Sequence, residues 1–368
     1  MSLGGLSRAL IRPKWRTLLL TLAKRIQTAP IAHDPTAIER CLASFKANTP
    51  VEIQQNAAPD TPIGALTIGI FGSSPYLSGL ILADPAEYAA CLATSPEEYL
   101  RQIETRLTEA IGLARRHDEA MKPLRQAKRR LALMTALTDL GGVWGVEEVT
   151  RALSEGADML VSAAVRFLLG EAARQGKFFP TDPGVPDQGS GYIVLGMGKH
   201  GAYELNYSSD IDLIVFYDPQ KAPLASEIEP GKFFVRLTRD LVKLMTERTS
   251  DGYVFRTDLR LRPDPGATQV ALSVDAALHY YETFGQNWER AAYIKARPVA
   301  GDLQAGEELL RALAPYIWRK YLDYAAIADI HAMKRQIHAY KGHAQVAVEG
   351  HNLKLGRGGI REIEFFVQ

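Results

Sequence analysis

Along the first 180 residues apolar side chains recur at three- and four-residue spacing, the period of one helix face. The spacing predicts helices over 15–27, 36–47, 86–92, 97–116, 121–139 and 146–174. Asp34-Pro35-Thr36 and Thr94-Ser95-Pro96 place a capping side chain before a proline that needs no intrahelical N–H, a start signal. Gly141-Gly142 separates two of these helices. The most apolar stretch, 64–82, is interrupted by Gly72-Ser73-Ser74-Pro75, which predicts two short buried helices around a turn and not a membrane span. A Pro/Gly/Asp-rich segment from Phe179 to Gly191 reads as a linker. Beyond it the period shortens, predicting strands at 192–196, 211–217 and 253–262 and a long amphipathic helix at about 230–248. Helical spacing then returns over 275–284, 287–296, 303–322 and 325–341, with a new start near 359. The expectation is an α+β chain: a helical amino-terminal region (1–180), a core with a small mixed sheet (190–300) and a helical part (301–368). That last part breaks off at Phe365-Phe366-Val367-Gln368 inside an apolar pattern, as a truncated element would.

Composition narrows the classes. The 368 residues, 46% apolar and 23% charged, describe an ordinary globular chain of two or three domains. A net charge of +1 makes no whole-chain case for nucleic acid or a membrane surface. The run Lys128-Arg129-Arg130 reads as a solvated helix face, with a basic docking surface as the alternative. Cys41 and Cys91 share no metal-ligand spacing and are expected as reduced core thiols of a cytoplasmic protein. No secretory leader is recognisable around Leu18-Leu19-Leu20, which charge flanks. The eight histidines show no HExxH pattern, so zinc chemistry is not expected.

Candidate chemistry concentrates in residues 191–218, GYIVLGMGKHGAYELNYSSDIDLIVFYD. A strand runs into the turn Gly196-Met197-Gly198-Lys199, and Ser209-Asp210-Ile211-Asp212 opens a second strand. On that strand Asp210 and Asp212 share a face, roughly 7 Å apart at Cα, while Ile211 and Leu213 point into the core. Two carboxylates so placed suit a hard divalent cation and phosphate chemistry. The turn is neither a Walker A loop nor a GxGxxG fingerprint, and no helix start is evident in it. Its glycines allow backbone N–H groups near a phosphate, and Lys199 adds a point charge. In 252–263, GYVFRTDLRLRP, a strand would put Arg256, Asp258, Arg260 and Arg262 on one face. Asp258 is then a third carboxylate, with Arg260 and Arg262 as phosphate clamps; the alternative is a solvated strand face with internal ion pairs.

These residues carry a family resemblance. Gly198, Ser209-Asp210-Ile211-Asp212 and Asp258 match the nucleotidyltransferase pattern of the DNA polymerase β superfamily. The run ELNYSSDIDLI is similar to a signature of the bifunctional glutamine synthetase adenylyltransferase/adenylyl-removing enzymes, as are FRTDLRLRPDP, GQNWERAAYIKARPVAGD and LKLGRGGIREIEFFVQ. His200 stands where that family usually has leucine, and Ala202-Tyr203 where Gly-Arg is common. The family carries two such catalytic domains in tandem. Gly285-Gln286-Asn287-Trp288-Glu289-Arg290 and a helical preamble look more like the amino-terminal, adenylyl-removing copy.

The resemblance implies a polymerase β-like core over 190–300 that phosphorolyses adenylyl-tyrosine on glutamine synthetase, releasing ADP. It implies two Mg²⁺ held by Asp210, Asp212 and Asp258, with Gly196, Gly198, Lys199, Ser209, Arg260 and Arg262 at nucleotide or phosphate. Lys295, Arg297, Lys354 and Arg361 are further candidates for a positive wall, with ion pairing to Glu289, Glu362 or Glu364 as the alternative. Trp288 and Tyr293 are expected to pack a helix and not to stack adenine. Implied partners are adenylylated glutamine synthetase, the PII signal protein and the second catalytic half. The rival readings are ATP-dependent adenylylation of glutamine synthetase and a regulatory nucleotide-sensing module.

Overall fold

Helices begin where the capping pairs stand. The computed structural model describes residues 20–56, 58–318, 335 and 349–367. Its first helices are α1 (Pro35–Asn48), α2 (Val51–Asn56), α3 (Pro62–Phe71), α4 (Pro75–Ala83), α5 (Pro85–Ala93), α6 (Pro96–Leu113), α7 (His117–Leu140) and α8 (Val146–Arg174). In α1, α3, α4, α5 and α6 proline opens the helix. The residue before it (Asp34, Thr61, Ser74, Asp84 or Ser95) accepts the N–H three positions on. The apolar stretch at 64–82 is the α3–α4 pair, bent by 119°. Among the described residues no single helix is long and apolar enough to cross a membrane. Cys41 and Cys91 are buried free thiols, and burial pushes the Cys91 thiol up to about 12.

Four expectations about this region change. Residues 20–27 hold only the 3₁₀ turn Leu22–Lys24, because Leu22 N–H donates to Thr94 O and Gln27 N–H to Gly141 O, long-range bonds that replace a helix ladder. The rest of that segment, 15–19, lies outside the described residues. The short polar helix α2 had no period long enough to detect. Helix α7 starts earlier than its apolar period suggested, with Pro123 in its second turn. The run Lys128-Arg129-Arg130 is not a solvated face: Arg130 Nε donates to Glu87 Oε2 at 2.7 Å, Arg129 pairs with Asp251 at 3.4 Å, and Lys128 lies over the Phe255 ring.

Contacts divide the chain into two units, the first from residues up to 167 with 203–209 and 244–255, the second from 168–202, 210–243 and 256 onward. In the first, α6 packs along α7, burying Ile103, Leu107, Leu131 and Met134. Arg125, fully buried, donates to the carbonyls of Met121 (3.0 Å), Gly252 (2.9 Å) and Glu247.

The second unit carries a five-stranded mixed sheet. Its elements are β1 (Tyr192–Gly196), α9 (Gly198–Gly201), β2 (Ile211–Tyr217), α10 (Pro230–Thr246, which runs on into the first unit), β3 (Thr257–Asp258), β4 (Leu272–Ser273), α11 (Val274–Thr283), α12 (Asn287–Tyr293), β5 (Arg297–Gly301), α13 (Leu303–Ile317) and α14 (Ile360–Val367). The order is β3-β2-β1-β5, with β4 also on β2. Strands β1 and β2 run antiparallel from Tyr192 opposite Tyr217 to Gly196 opposite Leu213. Both β3 and β4 pair parallel with β2, at its opposite ends. Ile193, Leu195, Ile214 and Phe216 form one core with Tyr281, Tyr293, Leu309 and Leu313.

The strand expected over 253–262 shrinks to Thr257–Asp258, because Pro263-Asp264-Pro265-Gly266 turns the chain and Asp264 takes a φ of +37°. Helix α12 stops at Tyr293, short of 296, since Arg297–Gly301 is the edge strand β5; Pro298 is tolerated at an edge. Of the helices expected over 303–322 and 325–341, residues 319–334 and 336–341 lie outside the described residues.

Candidate metal centre

Ile211 and Leu213 are fully buried, so strand alternation turns Asp212 and the preceding Asp210 to the opposite face. Parallel pairing with β3 then sets Asp212 opposite Asp258. Ile211 N–H donates to Arg256 O at 2.9 Å, and Met197 N–H to Asp212 O at 2.9 Å, fixing the register on both sides. One oxygen from each of Asp210, Asp212 and Asp258 lies within 4.8 Å of the others.

The glycine turn reaches the same place. Gly198 has φ +53°, and a Cβ built on it would stand 3.4 Å from Asp212 Oδ2, so bare backbone borders the carboxylates there. Gly196 serves packing instead: its Cβ would meet Val299 Cγ1 at 2.7 Å. A single helical turn, α9, does start at Gly198, contrary to expectation, and it carries Lys199 exposed. Arg297 on β5 holds this turn, donating from Nε to Gly201 O and from Nη2 to His200 O, both at 3.3 Å. Ser209 accepts from Asn206 N–H at 3.3 Å, a turn-supporting bond.

Charge is uneven across the cluster. Burial, then the charges of Asp210 and Asp258, push the Asp212 carboxyl up to about 6; Lys354 and Arg260 partly counter them. Asp258 is held below the usual carboxylate range by hydrogen bonds from the Arg260 guanidinium, which outweigh its burial. Arg260 Nε lies 2.8 Å from Asp258 Oδ2, and its backbone N–H donates to Oδ1 at 2.8 Å. Arg262 is engaged differently: its Nη1 donates to Leu259 O at 2.9 Å and Nη2 to Pro265 O at 2.8 Å, closing the loop after β3. Three oxygen donors, one of them pushed toward protonation by burial and by its neighbours, fit a hard divalent cation that would relieve their repulsion.

The other candidates separate. Lys354 lies near enough to lower the Asp212 carboxyl, whereas Lys295 faces Glu364 at 3.9 Å and Arg361 is exposed. Tyr293 packs in the core, its hydroxyl donating to Tyr281 at 2.9 Å, and Trp288 is 38% exposed. No local pattern marked Arg297 as the clamp of α9, since its acceptors are backbone carbonyls that only the fold brings near.

The sequence profile of glutamate-ammonia ligase adenylyltransferase matches residues 65–312. The chain belongs to the glutamate-ammonia ligase adenylyltransferase family. This adenylyltransferase-family chain also matches a PII-uridylyltransferase profile over 330–368. Its relatives include proteins named bifunctional glutamine synthetase adenylyltransferase/adenylyl-removing enzyme. That of Bradyrhizobium diazoefficiens is 52% identical over 95% of this chain and 35% of its own length. Those of Xanthobacter autotrophicus and Rhizobium meliloti are 50% and 54% identical, over 95% and 84% of this chain and 36% and 32% of their own lengths. The chain thus spans about a third of the curated relatives it matches.

Proposed function

We propose that this chain removes AMP from the adenylylated tyrosine of glutamine synthetase by phosphorolysis. An oxygen of inorganic phosphate bonds to the α-phosphorus, the bond from that phosphorus to the tyrosine oxygen breaks, and the products are ADP and the free tyrosine side chain. The observation that carries the reading is the approach of Asp210, Asp212 and Asp258 to within 4.8 Å beside the bare backbone of Gly198. The direction is supported by the likeness of Gly285–Arg290 to the amino-terminal copy of the family and by the adenylyl-removing activity in the relatives' names.

Asp210, Asp212 and Asp258 are the residues that would hold two Mg²⁺. Bound there, the metal supplies charge stabilisation to the entering and leaving oxygens of an in-line displacement. The tyrosine leaves as a phenolate of parent pKa about 10, so no strong general acid is required. Gly198 keeps bare backbone beside the carboxylates, Gly196 packs the turn against Val299, Ser209 supports the local turn before Asp210, and Lys199 contributes a positive charge toward nucleotide or phosphate. Arg260, exposed and already paired with Asp258, is placed to hold the attacking phosphate beside a second anion. Arg262 contributes by shaping the loop that carries Arg260. In a longer protein the PII signal protein and a second catalytic half are the expected partners, and the cytoplasm the expected compartment.

The test is incubation with adenylylated glutamine synthetase, Mg²⁺ and phosphate, with ADP as the readout. ADP formation dependent on phosphate is the expected result. AMP incorporation from ATP without ADP release from the adenylylated substrate would reverse the direction.

A further inference from the structure

Lys128 has no part in the reaction just described. Among the described residues its ammonium has no carboxylate partner; it rests 3.9 Å from the centre of the Phe255 ring. It lines a cavity of about 1030 Å³ whose described lining residues belong to the first unit. That volume reaches the upper end of small-molecule sites, about 300–1000 Å³. None of Asp210, Asp212, Asp258, Lys199 or Arg260 lines it.

The lining has the composition of a ligand site, mostly apolar with a few polar groups. Leu77, Leu80, Ala132 and Leu153 give it an apolar wall, and Tyr253 and Phe255 an aromatic one. Among the described residues two cations line it, but Arg129 is paired with Asp251. Burial alone pushes the Lys128 ammonium down to about 8, the mark of a charge with little compensation. Asp139, the other acid lining it, accepts from the Tyr207 hydroxyl at 3.0 Å. Eleven residues further along α7 it stands roughly 16 Å away by helical rise, too far to neutralise Lys128.

We propose that this cavity binds a small aromatic anion, its acidic group seated on Lys128 and its ring against the Tyr253 side of the wall. Its wall segments continue along the chain into the segments that carry the carboxylates. Ser208 and Ser209 line it immediately before Asp210, and Phe255 lines it three residues before Asp258.

Binding is tested without any transfer reaction, with anilinonaphthalene sulfonate as probe on the full chain in magnesium-free buffer. The expected result is a saturable fluorescence rise with one probe per chain. Lys128→Met, folded by circular dichroism and melting, should weaken it about tenfold or more, the scale of one charge-assisted contact. Lys128→Arg should keep most of it. Competition by AMP marks a phosphate-bearing occupant and competition by indole acetate a carboxylate-bearing one. No saturable binding, equal affinity in folded Lys128→Met, or failure of both competitors would overturn the proposal.

Discussion

At neutral pH the Asp212 carboxyl gives up its proton against its own burial and two neighbouring carboxylates, which push it up to about 6. A folded-state value above the ordinary one, about 3.9, means that the native state binds the extra proton between these two values. Unfolding free energy from this group therefore falls as pH rises through that window. At pH 7 the metal-free protein carries a penalty of about 1–3 kcal/mol. Asp212→Asn should remove it and raise the melting midpoint of the metal-free protein, while turnover falls by at least about a hundredfold, the scale for losing one electrostatic support of developing charge. Differential scanning calorimetry in chelator together with the ADP assay checks both; an unchanged midpoint with retained turnover would remove Asp212 from the site. Metal binding must displace the same proton, so Mg²⁺ affinity should drop about tenfold per pH unit below about 6 and level off above it. Titration calorimetry across pH 5–8 measures this, and a flat profile would contradict it. Asp258 runs the other way, already ionised by Arg260, so its readiness comes from a partner that must share it.

Between elements the placement of Lys199 depends on a contact between a turn and an edge strand. Gly201 in α9 sits so close to the strand region that a Cβ would meet Lys295 O at 1.8 Å, a backbone atom that cannot rotate away. Gly201→Ala should cost about 1–3 kcal/mol, as overpacking does, and lower activity with it. Chemical denaturation against wild type measures the first, and a neutral result would show that the turn is free to move. The period-two pattern made β1, β2 and the shared face of Asp210 and Asp212 legible, because Ile211 and Leu213 must be buried. Asp258 was legible as a lone carboxylate among arginines on a strand, yet the length of that strand was not: Arg256, Arg260 and Arg262 alternate like a strand face, while Pro263 and Pro265 turn the chain. Strand β5 was hidden by Pro298 and Gly301, which read as breakers until an edge position accommodates them. The partners of Arg297 were out of reach, since it bonds to carbonyls 96 and 97 residues away that only tertiary folding brings near, whereas Arg262 bonds to carbonyls three residues away.

Across the whole molecule the chain passes repeatedly between its two units, and the passages at 209/210 and 255/256 adjoin Asp210 and lie two residues before Asp258. The first unit is therefore closed by a late segment, 244–255, whose Gly252 and Glu247 carbonyls accept from buried Arg125. Arg125→Met should destabilise by about 3 kcal/mol, the loss of charge-assisted bonds inside a core. Thermal melting checks this; an unchanged midpoint would mean that the segment docks without the arginine. The separation has a consequence in time. Arg125 and Gly252 lie 127 residues apart, so a ribosome adding about 5–20 residues per second leaves the guanidinium without those carbonyls for roughly 6–25 s. The first unit is thus finished only after β1 and β2 have been synthesised, and order of birth is not order of completion.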